Sequence, residues 1–294
     1  MVCTKLSRYI TILSASVLLE LGIIPNFYLI TQAQIEIPSY IKSKRVIFQP
    51  NPDQPAPEIT TGAGKRNDGR CFQDQSIEDD ATVSHSLTVL VPTVLVNPEF
   101  QESEPSPVGV NFQLTVSEQP TFLVYVPPTS ANFLELRVED NQNQQIGETV
   151  RLNLTETPGI YSISVPENAP PLDIGKDYKW LVSMTCQAGD PNDPLVEGLI
   201  RRISMDSSLT LSLDSVEDLD KVAVYAEAGI WQNAVVNLAA LRQSKPNNPD
   251  VVSAWENLLE YAELEDIINA PLISTFEDIH IGENQAEGRN DREE

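Results

Sequence analysis

The sequence predicts a mainly β protein with C-terminal helices, and three observations support this fold class. Apolar and polar residues alternate in four short segments between residues 110 and 165, which is the period of half-buried strands, and four further apolar segments bring the number of predicted strands between residues 87 and 205 to about eight. Proline and glycine separate these segments, as expected for turns. Beyond about residue 214 the apolar residues recur every three or four positions, the period of amphipathic helices. We therefore predict a β-sandwich over residues 87–205 and a helical region over residues 206–273.

The predicted strands follow one another at the short spacing typical of two-sheet sandwiches. They cover residues 87–91, 110–116, 121–126, 134–138, 150–154, 161–165, 178–186 and 195–203. Around the seventh strand, PLDIGKDYKWLVSMTC spaces Leu172, Gly175, Tyr178 and Trp180 as in the loop-to-strand corner of immunoglobulin-like and fibronectin-like domains. In that corner a tyrosine hydroxyl caps the preceding turn. We therefore predict an immunoglobulin/fibronectin-like β-sandwich in which Tyr178, Trp180 and Cys186 share one face.

The helical region resembles half of a tetratricopeptide repeat. Ser215 and Asp218 form a capping-box pattern before the first helix, and Gly229 can end it. A second helical stretch runs from Trp231 to Leu241, and a third follows Pro249. The residues that carry the repeat pattern are Gly229, Trp231, Ala234, Leu241 and Pro246. Because about three repeats are needed for a free-standing array, we predict a helical hairpin that caps the sandwich, with peptide binding by the helices as the alternative.

The first 33 residues predict a signal peptide. Lys5 and Arg8 precede an apolar run, and small residues around Ala33 suit cleavage after that position. A membrane anchor is the alternative, but Glu20 and Pro25 interrupt the run and leave too little apolar length for a span of roughly 20 residues. We therefore predict export to the periplasm or the extracellular space, with no stable membrane span after cleavage.

Residues 34–86 have the composition of a proline-rich linker that ends at a glycine-rich basic motif, TTGAGKRNDGR. We expect no packed core from this segment. The motif is similar to a phosphate-binding loop, but such a loop needs serine or threonine after its lysine, and here Arg66 follows Lys65. We therefore predict neither a nucleotide site nor another cofactor. The charged tail, residues 274–294, is predicted to be disordered.

The charge of the chain bears on its binding partners, and its cysteine content bears on disulfide formation. Cleavage after Ala33 would leave 17 basic and 42 acidic residues of the original 19 and 43, and so strong a negative charge disfavours nucleic-acid binding. Cys71 and Cys186 remain in the mature chain. In an exported protein such a pair predicts a disulfide bridge, with two free thiols as the alternative.

The sequence shows no recognisable catalytic or metal-binding pattern. The two histidines, His85 and His280, lie far apart in the chain, and neither belongs to a triad or ligand motif. Asp190 and Asp193 could supply oxygen ligands to calcium, but a proline-rich turn explains them equally well, and their spacing matches no EF-hand. We therefore predict a protein that is not an enzyme and holds no metal.

Several motifs in order resemble the cyanobacterial family known as domain of unknown function 928. They are GAGKRNDGRC, LTVLVP, PTFLVYVP, PGIYSISVP, APPLDIGKDYKWLVSMTC and VEGLIRRI, and the similarity covers residues 62–264. The resemblance implies an exported protein with a β-rich part and C-terminal helices, but no established activity or cofactor. By position, it places the family's paired cysteines at Cys71 and Cys186. It places the basic glycine-rich motif at Gly62, Ala63, Gly64 and Arg66.

Our functional hypothesis is a non-catalytic interaction module that binds an unknown envelope protein, with Trp231 and Trp255 of the helices as candidate contact residues. The first alternative is a small-ligand or glycan-binding sandwich that uses Tyr125, Tyr161 or Trp180, which requires these side chains to be exposed. The second alternative is a carboxylate-dependent hydrolase, which requires two acidic side chains in one cleft.

Overall fold

We examined a computed structural model of the chain. The structure describes residues 45–55, 57, 65–66, 70–71, 74, 86–96, 108–187, 192–273 and 280–281. The predicted signal peptide lies outside these residues, and so does the predicted disordered tail except for His280 and Ile281, which form a short strand. Among the described helices, none has the length and apolar character needed to cross a bilayer.

The described part of the chain forms a mixed α/β fold in which two sheets precede four helices. The strands are β1 (Lys65–Arg66), β2 (Thr88–Val89), β3 (Thr93–Val96), β4 (Val108–Thr115), β5 (Thr121–Val126), β6 (Phe133–Glu139), β7 (Val150–Asn153), β8 (Gly159–Ser164), β9 (Asp177–Thr185), β10 (Leu195–Arg202) and β11 (His280–Ile281). The helices are α1 (Ser207–Asp214), α2 (Asp218–Glu227), α3 (Trp231–Ser244) and α4 (Pro249–Tyr261), followed by a short 3₁₀ helix (Glu265–Ile267).

The larger sheet has the strand order β11-β7-β6-β9-β10-β4-β3. All described pairs in it are antiparallel except β10 with β4, which are parallel. Strand β1 pairs with the start of β10, with Lys65 opposite Val196 and Arg66 opposite Leu195. These two residues of the glycine-rich motif therefore join the larger sheet through their backbone.

The smaller sheet, in the order β2-β5-β8, packs against the larger sheet through a shared apolar core. Phe122 of β5 stacks on Trp180 of β9, with ring centroids 4.6 Å apart. The predicted common face of Tyr178, Trp180 and Cys186 is confirmed, because the first two are buried in this core and Cys186 packs against it. The prediction of a β region followed by helices is thus confirmed at the level of two sheets and four helices.

The helices cover the other face of the smaller sheet. Leu123 and Tyr125 of β5 belong to a second core, together with apolar side chains of α2, α3 and α4. This arrangement explains why β5 reads TFLVYV without polar alternation: five consecutive residues from Phe122 to Val126 are buried. A strand enclosed on both faces has no solvent side on which a polar residue would be favoured.

Two local predictions for the helices have different outcomes. Gly229 has φ +73° and follows α2 directly after its cap, so its predicted role in ending that helix is confirmed. The capping box is wrong: α2 begins at Asp218 after the cap residue Glu217, while Ser215 caps the end of α1. The hydroxyl of Ser215 donates to the Ser212 carbonyl, so it is not available to the start of α2.

The contact between Gly198 and Trp180 yields a prediction on stability. Gly198 of β10 lies opposite Trp180 of β9, and a Cβ atom at Gly198 would stand 2.7 Å from Cζ2 of the indole. Gly198→Ala is therefore expected to lower the free energy of unfolding by about 1–3 kcal/mol, the usual cost of overpacking a core. Urea denaturation measures this change.

The control is the same substitution made beside a smaller ring. Trp180→Phe should cost less in the Gly198→Ala background than in the wild type, because the smaller ring leaves room for the new methyl group. If the two substitutions have strictly additive effects, the contact with Trp180 is not the reason for the loss.

Candidate functional site

A proline-rich segment that we name the proline strap, residues 45–55 and 57, packs across the helices and the larger sheet. Val46 and Phe48 of the strap are buried in the core shared with the helices. The amide of Gln49 donates to the carbonyl of Ala226 at the end of α2, at 3.0 Å. The expectation that residues 34–86 supply no packed core is therefore wrong, because two apolar side chains of this segment are enclosed by tertiary contacts.

Both ends of the strap are held by arginine side chains. Nη2 of Arg45 donates to Oδ1 of Asn257 in α4 at 3.0 Å. At the other end, Nη1 of Arg201 donates to the carbonyl oxygen of Pro55 at 2.9 Å. The two hydrogen bonds fix the ends of the strap to α4 and to the larger sheet.

The strap and the larger sheet enclose a groove with a volume of about 250 Å³. We name it the strap groove. Its lining is mostly apolar, and three amide side chains, Asn51, Gln54 and Gln113, supply the polar groups. The apolar and backbone lining comprises Phe48, Pro50, Pro55, Pro57, Pro92, Val94, Leu95, Phe112, Leu114, Gly229 and Tyr261.

Gly229 allows the strap to approach the helices closely beside this groove. A Cβ atom at Gly229 would lie 2.7 Å from the amide nitrogen of Asn51, and the positive φ of Gly229 would strain any other residue. The glycine therefore ends α2 and makes room for the strap at the same point.

An aromatic cluster forms one wall of the groove. The ring of Phe48 lies 5.0 Å from that of Trp231 and 4.9 Å from that of Tyr261. Tyr261 is 41% exposed, and partial burial raises the pKa of its hydroxyl above the usual value. Phe48 and Tyr261 therefore give this wall of the groove an aromatic surface.

The opposite wall is formed by β3 and β4. Leu95 of β3 is 75% exposed and adds to the apolar surface that lines the groove. Among the described strands, β3 pairs with β4 on one side and is the last strand of its sheet. The groove therefore lies beside an exposed apolar side chain on a sheet edge.

A buried ion pair between Arg201 and Asp177 lies next to the groove wall. Nε and Nη2 of Arg201 in β10 donate to the two carboxylate oxygens of Asp177 in β9, at 2.6 and 2.8 Å. The same guanidinium lies 5.4 Å from the centre of the Phe112 ring, which lines the groove. Arg201 therefore connects the sheet, the strap and the groove wall.

The predicted disulfide bridge between Cys71 and Cys186 is present, and it joins residues 115 positions apart. Asp74, three residues after Cys71, is buried. Its carboxylate accepts hydrogen bonds from the hydroxyl of Thr129 at 2.7 Å and from the amide of Ser130 at 3.1 Å. The bridge and Asp74 together attach this part of the chain to the sandwich.

The three aromatic residues proposed for ligand stacking, Tyr125, Tyr161 and Trp180, are all buried. Burial raises the pKa of Tyr125 to about 12. The hydroxyl of Tyr161 accepts from the amides of Thr155 and Glu156, at 3.2 and 3.0 Å, and thereby holds a turn. The proposal that these side chains form a ligand surface is therefore corrected: each one fills the core.

Trp231 and Trp255, the candidate contact residues of the helices, are also buried. The indole N–H of Trp231 donates to the carbonyl of Leu90 at 2.8 Å, and that of Trp255 to the carbonyl of Ile268 at 3.1 Å. Neither is placed to contact a partner directly. Trp231 contributes indirectly, because its ring supports Phe48 behind the groove.

The first turn of α3 carries two buried polar residues that the sequence analysis missed. Nδ2 of Asn233 donates to the hydroxyl of Ser117, and its Oδ1 accepts from the amide of Val116. Nε2 of Gln232 donates to the carbonyl of Thr121 at 2.9 Å. These two adjacent amide side chains fix α3 to the turn between β4 and β5. The signal available in the sequence was their position directly after Trp231, at the start of an apolar helix.

The remaining candidate residues are only partly covered by the structure. Of the family motif, Arg66 lies in β1, whereas Gly62, Ala63 and Gly64 lie outside the described residues. His85 and Asp190 lie outside them as well. Asp193, proposed as a calcium ligand, accepts a hydrogen bond from the amide of Cys186 at 3.0 Å. Within the described ranges, no group of three acidic, histidine or cysteine side chains is placed to hold a metal ion.

Comparison with known proteins identifies one family. The family model of a domain of unknown function, DUF928, matches residues 61–272. This range includes both bridged cysteines, the four helices and every described strand of the two sheets except β11. No curated protein and no solved structure matches the chain.

Proposed function

We propose that this chain, which belongs to the DUF928 family, is an exported, non-catalytic interaction module whose strap groove binds another protein. The observation that supports the proposal is the exposure of Leu95 at a sheet edge, directly beside an apolar groove. Exposed apolar surface of this kind, bordered by amide groups, is typical of sites that become covered by a partner.

The proposal includes a finer description of the fold. The hydroxyl of Tyr178 accepts a hydrogen bond from the amide of Asp173 at 3.1 Å, which supports the corner of an immunoglobulin/fibronectin-like sandwich. Helices α2 and α3 are joined at Gly229, which supports a hairpin of the tetratricopeptide type. The apolar faces of these helices pack on the smaller sheet and the strap, so we assign them the capping role and assign binding to the groove.

The bridge between Cys71 and Cys186 supports an oxidising location. A periplasmic or extracellular protein meets this condition. The two buried carboxylates of the described region, Asp74 and Asp177, both hold structural partners. Because both carboxylates are engaged in holding the fold together, we favour a binding function over the carboxylate-dependent hydrolysis considered from the sequence.

Site-specific photo-crosslinking tests the proposed surface. A benzophenone amino acid at position 95, in the full chain expressed in cells that export it, is expected to give a discrete adduct with a second protein. The same amino acid at position 211 is the control, because Leu211 in α1 is 69% exposed and does not line the groove. Equal labelling from both positions, or no adduct from position 95, would overturn the proposal.

A further inference from the structure

We propose that the partner of the strap groove is an extended peptide segment with alternating apolar residues and flanking lysine or arginine, which adds a strand to β3. This inference rests on the proposed function, because it assigns the partner class to the same groove. Strand addition obtains affinity from main-chain hydrogen bonds and specificity from pockets that accept alternate side chains.

The position of β3 in the sheet is the first argument. β3 pairs with β4 from Thr93 opposite Asn111 to Val96 opposite Val108, and the described sheet ends there. Natural edge strands are commonly protected by charged residues or proline within the strand. β3 reads TVLV, without a charge or a proline, and the side chain of Leu95 is 75% exposed.

The size of the groove is the second argument. Pockets for whole small molecules usually have volumes of roughly 300–1,000 Å³, and the strap groove has about 250 Å³. The groove therefore suits one or two apolar side chains better than a complete ligand. A strand lying along β3 would direct every second side chain to the face of Val94 and Phe112, which line the groove, and the intervening side chains to the face of Leu95.

Charge is the third argument, and it selects the partner. The sequence has no lysine or arginine between Arg70 and Arg137, a stretch that includes β3, β4 and β5. The connection between β3 and β4 contains Glu99, Glu102 and Glu104. A basic segment would be attracted to a chain with a net charge of -24, whereas a second copy of the same chain would be repelled.

The test begins with a random ten-residue peptide library displayed on phage and selected on the purified full chain. We expect the enriched peptides to have apolar residues at alternate positions and at least one flanking lysine or arginine. Fluorescence anisotropy of a labelled synthetic peptide should then show affinity that falls as salt is added. A failure to enrich such peptides would overturn the inference.

A matched pair of variants locates the binding surface. Leu95→Lys is expected to weaken binding by more than tenfold, because it removes the apolar contact and repels a basic peptide. Leu211→Lys adds the same charge at another exposed leucine and is expected to leave affinity within about twofold. Equal losses in the two variants would mean that binding reflects net charge alone, which contradicts the inference.

Methylation of the peptide backbone distinguishes strand addition from simple insertion of side chains. In a β-strand, alternate amides point toward the neighbouring strand. N-methylation of one alternate set of amides in the selected peptide should therefore reduce affinity by at least tenfold, while methylation of the other set should be tolerated. If both methylated peptides bind normally but Leu95→Lys still abolishes binding, the groove binds protein and strand addition is wrong. If Leu95→Lys has no effect either, the proposed function fails as well.

Discussion

Replacing Cys71 and Cys186 together by alanine is expected to lower the free energy of unfolding by about 4–5 kcal/mol. The bridge closes a loop of 115 residues, and the chain-entropy model assigns about 4.7 kcal/mol to a loop of roughly this length. A domain has only about 5–15 kcal/mol of net stability, so the variant should be close to unfolding at physiological temperature. Urea denaturation with fluorescence detection measures the loss.

Reduction of the wild-type chain provides the control, because it opens the bridge and leaves both side chains in place. Reduced wild type and the alanine variant should have similar stabilities, and adding reductant to the variant should change little. A loss below about 1 kcal/mol in both samples would show that the unfolded chain is already compact without the bridge.

The strands that the sequence predicted best are those with one solvent-exposed face and one buried face. β6 is an example: Leu134, Leu136 and Val138 are buried, while Glu135 and Arg137 between them are less so. Its alternating pattern follows directly from the geometry of a strand that faces water on one side. The disulfide was also predictable, because two cysteines remained after the predicted cleavage and only one pairing was available.

The strap groove could not be predicted in the same way, because its residues come from distant parts of the chain. Phe48, Leu95, Gly229 and Tyr261 meet only after the strap, the sheet and the helices have packed. The prolines of the strap indicated a linker, since proline cannot donate to a ladder. The run of three apolar residues, Val46, Ile47 and Phe48, was the available signal that this segment contributes to a core, and the structure buries the first and the third.

The burial of Tyr125 could not be predicted for a similar reason. Tyr125 alternates with residues that face the other sheet, so a two-sheet sandwich places it on the outer surface. In the structure the helices cover that surface. Periodicity reports which residues share a face, but it does not reveal whether another layer covers this face.

Asp177→Asn is expected to destabilise the protein by about 3–5 kcal/mol, the usual cost of removing one charge of a buried ion pair. Asp177 lies opposite Arg201 in adjacent strands, and the two side chains are only 2% and 5% exposed. The amide can accept from Arg201 but no longer balances its charge. Glu135→Gln breaks the solvent-accessible pair with Arg151, whose side chains are 28% and 51% exposed, and should cost less than about 1 kcal/mol.

The double variant Asp177→Leu/Arg201→Met separates the charge effect from the loss of contacts. If the uncompensated charge is responsible, the double variant should be more stable than Asp177→Asn, because it buries no charge. It also loses the hydrogen bond from Arg201 to Pro55, so the strap should loosen and the groove should bind the selected peptide more weakly even where the fold is intact. Asp177→Asn retains that donor, and below its unfolding transition it should keep more of the peptide affinity. A double variant that is less stable than Asp177→Asn and binds the peptide at least as tightly would contradict both roles assigned to Arg201.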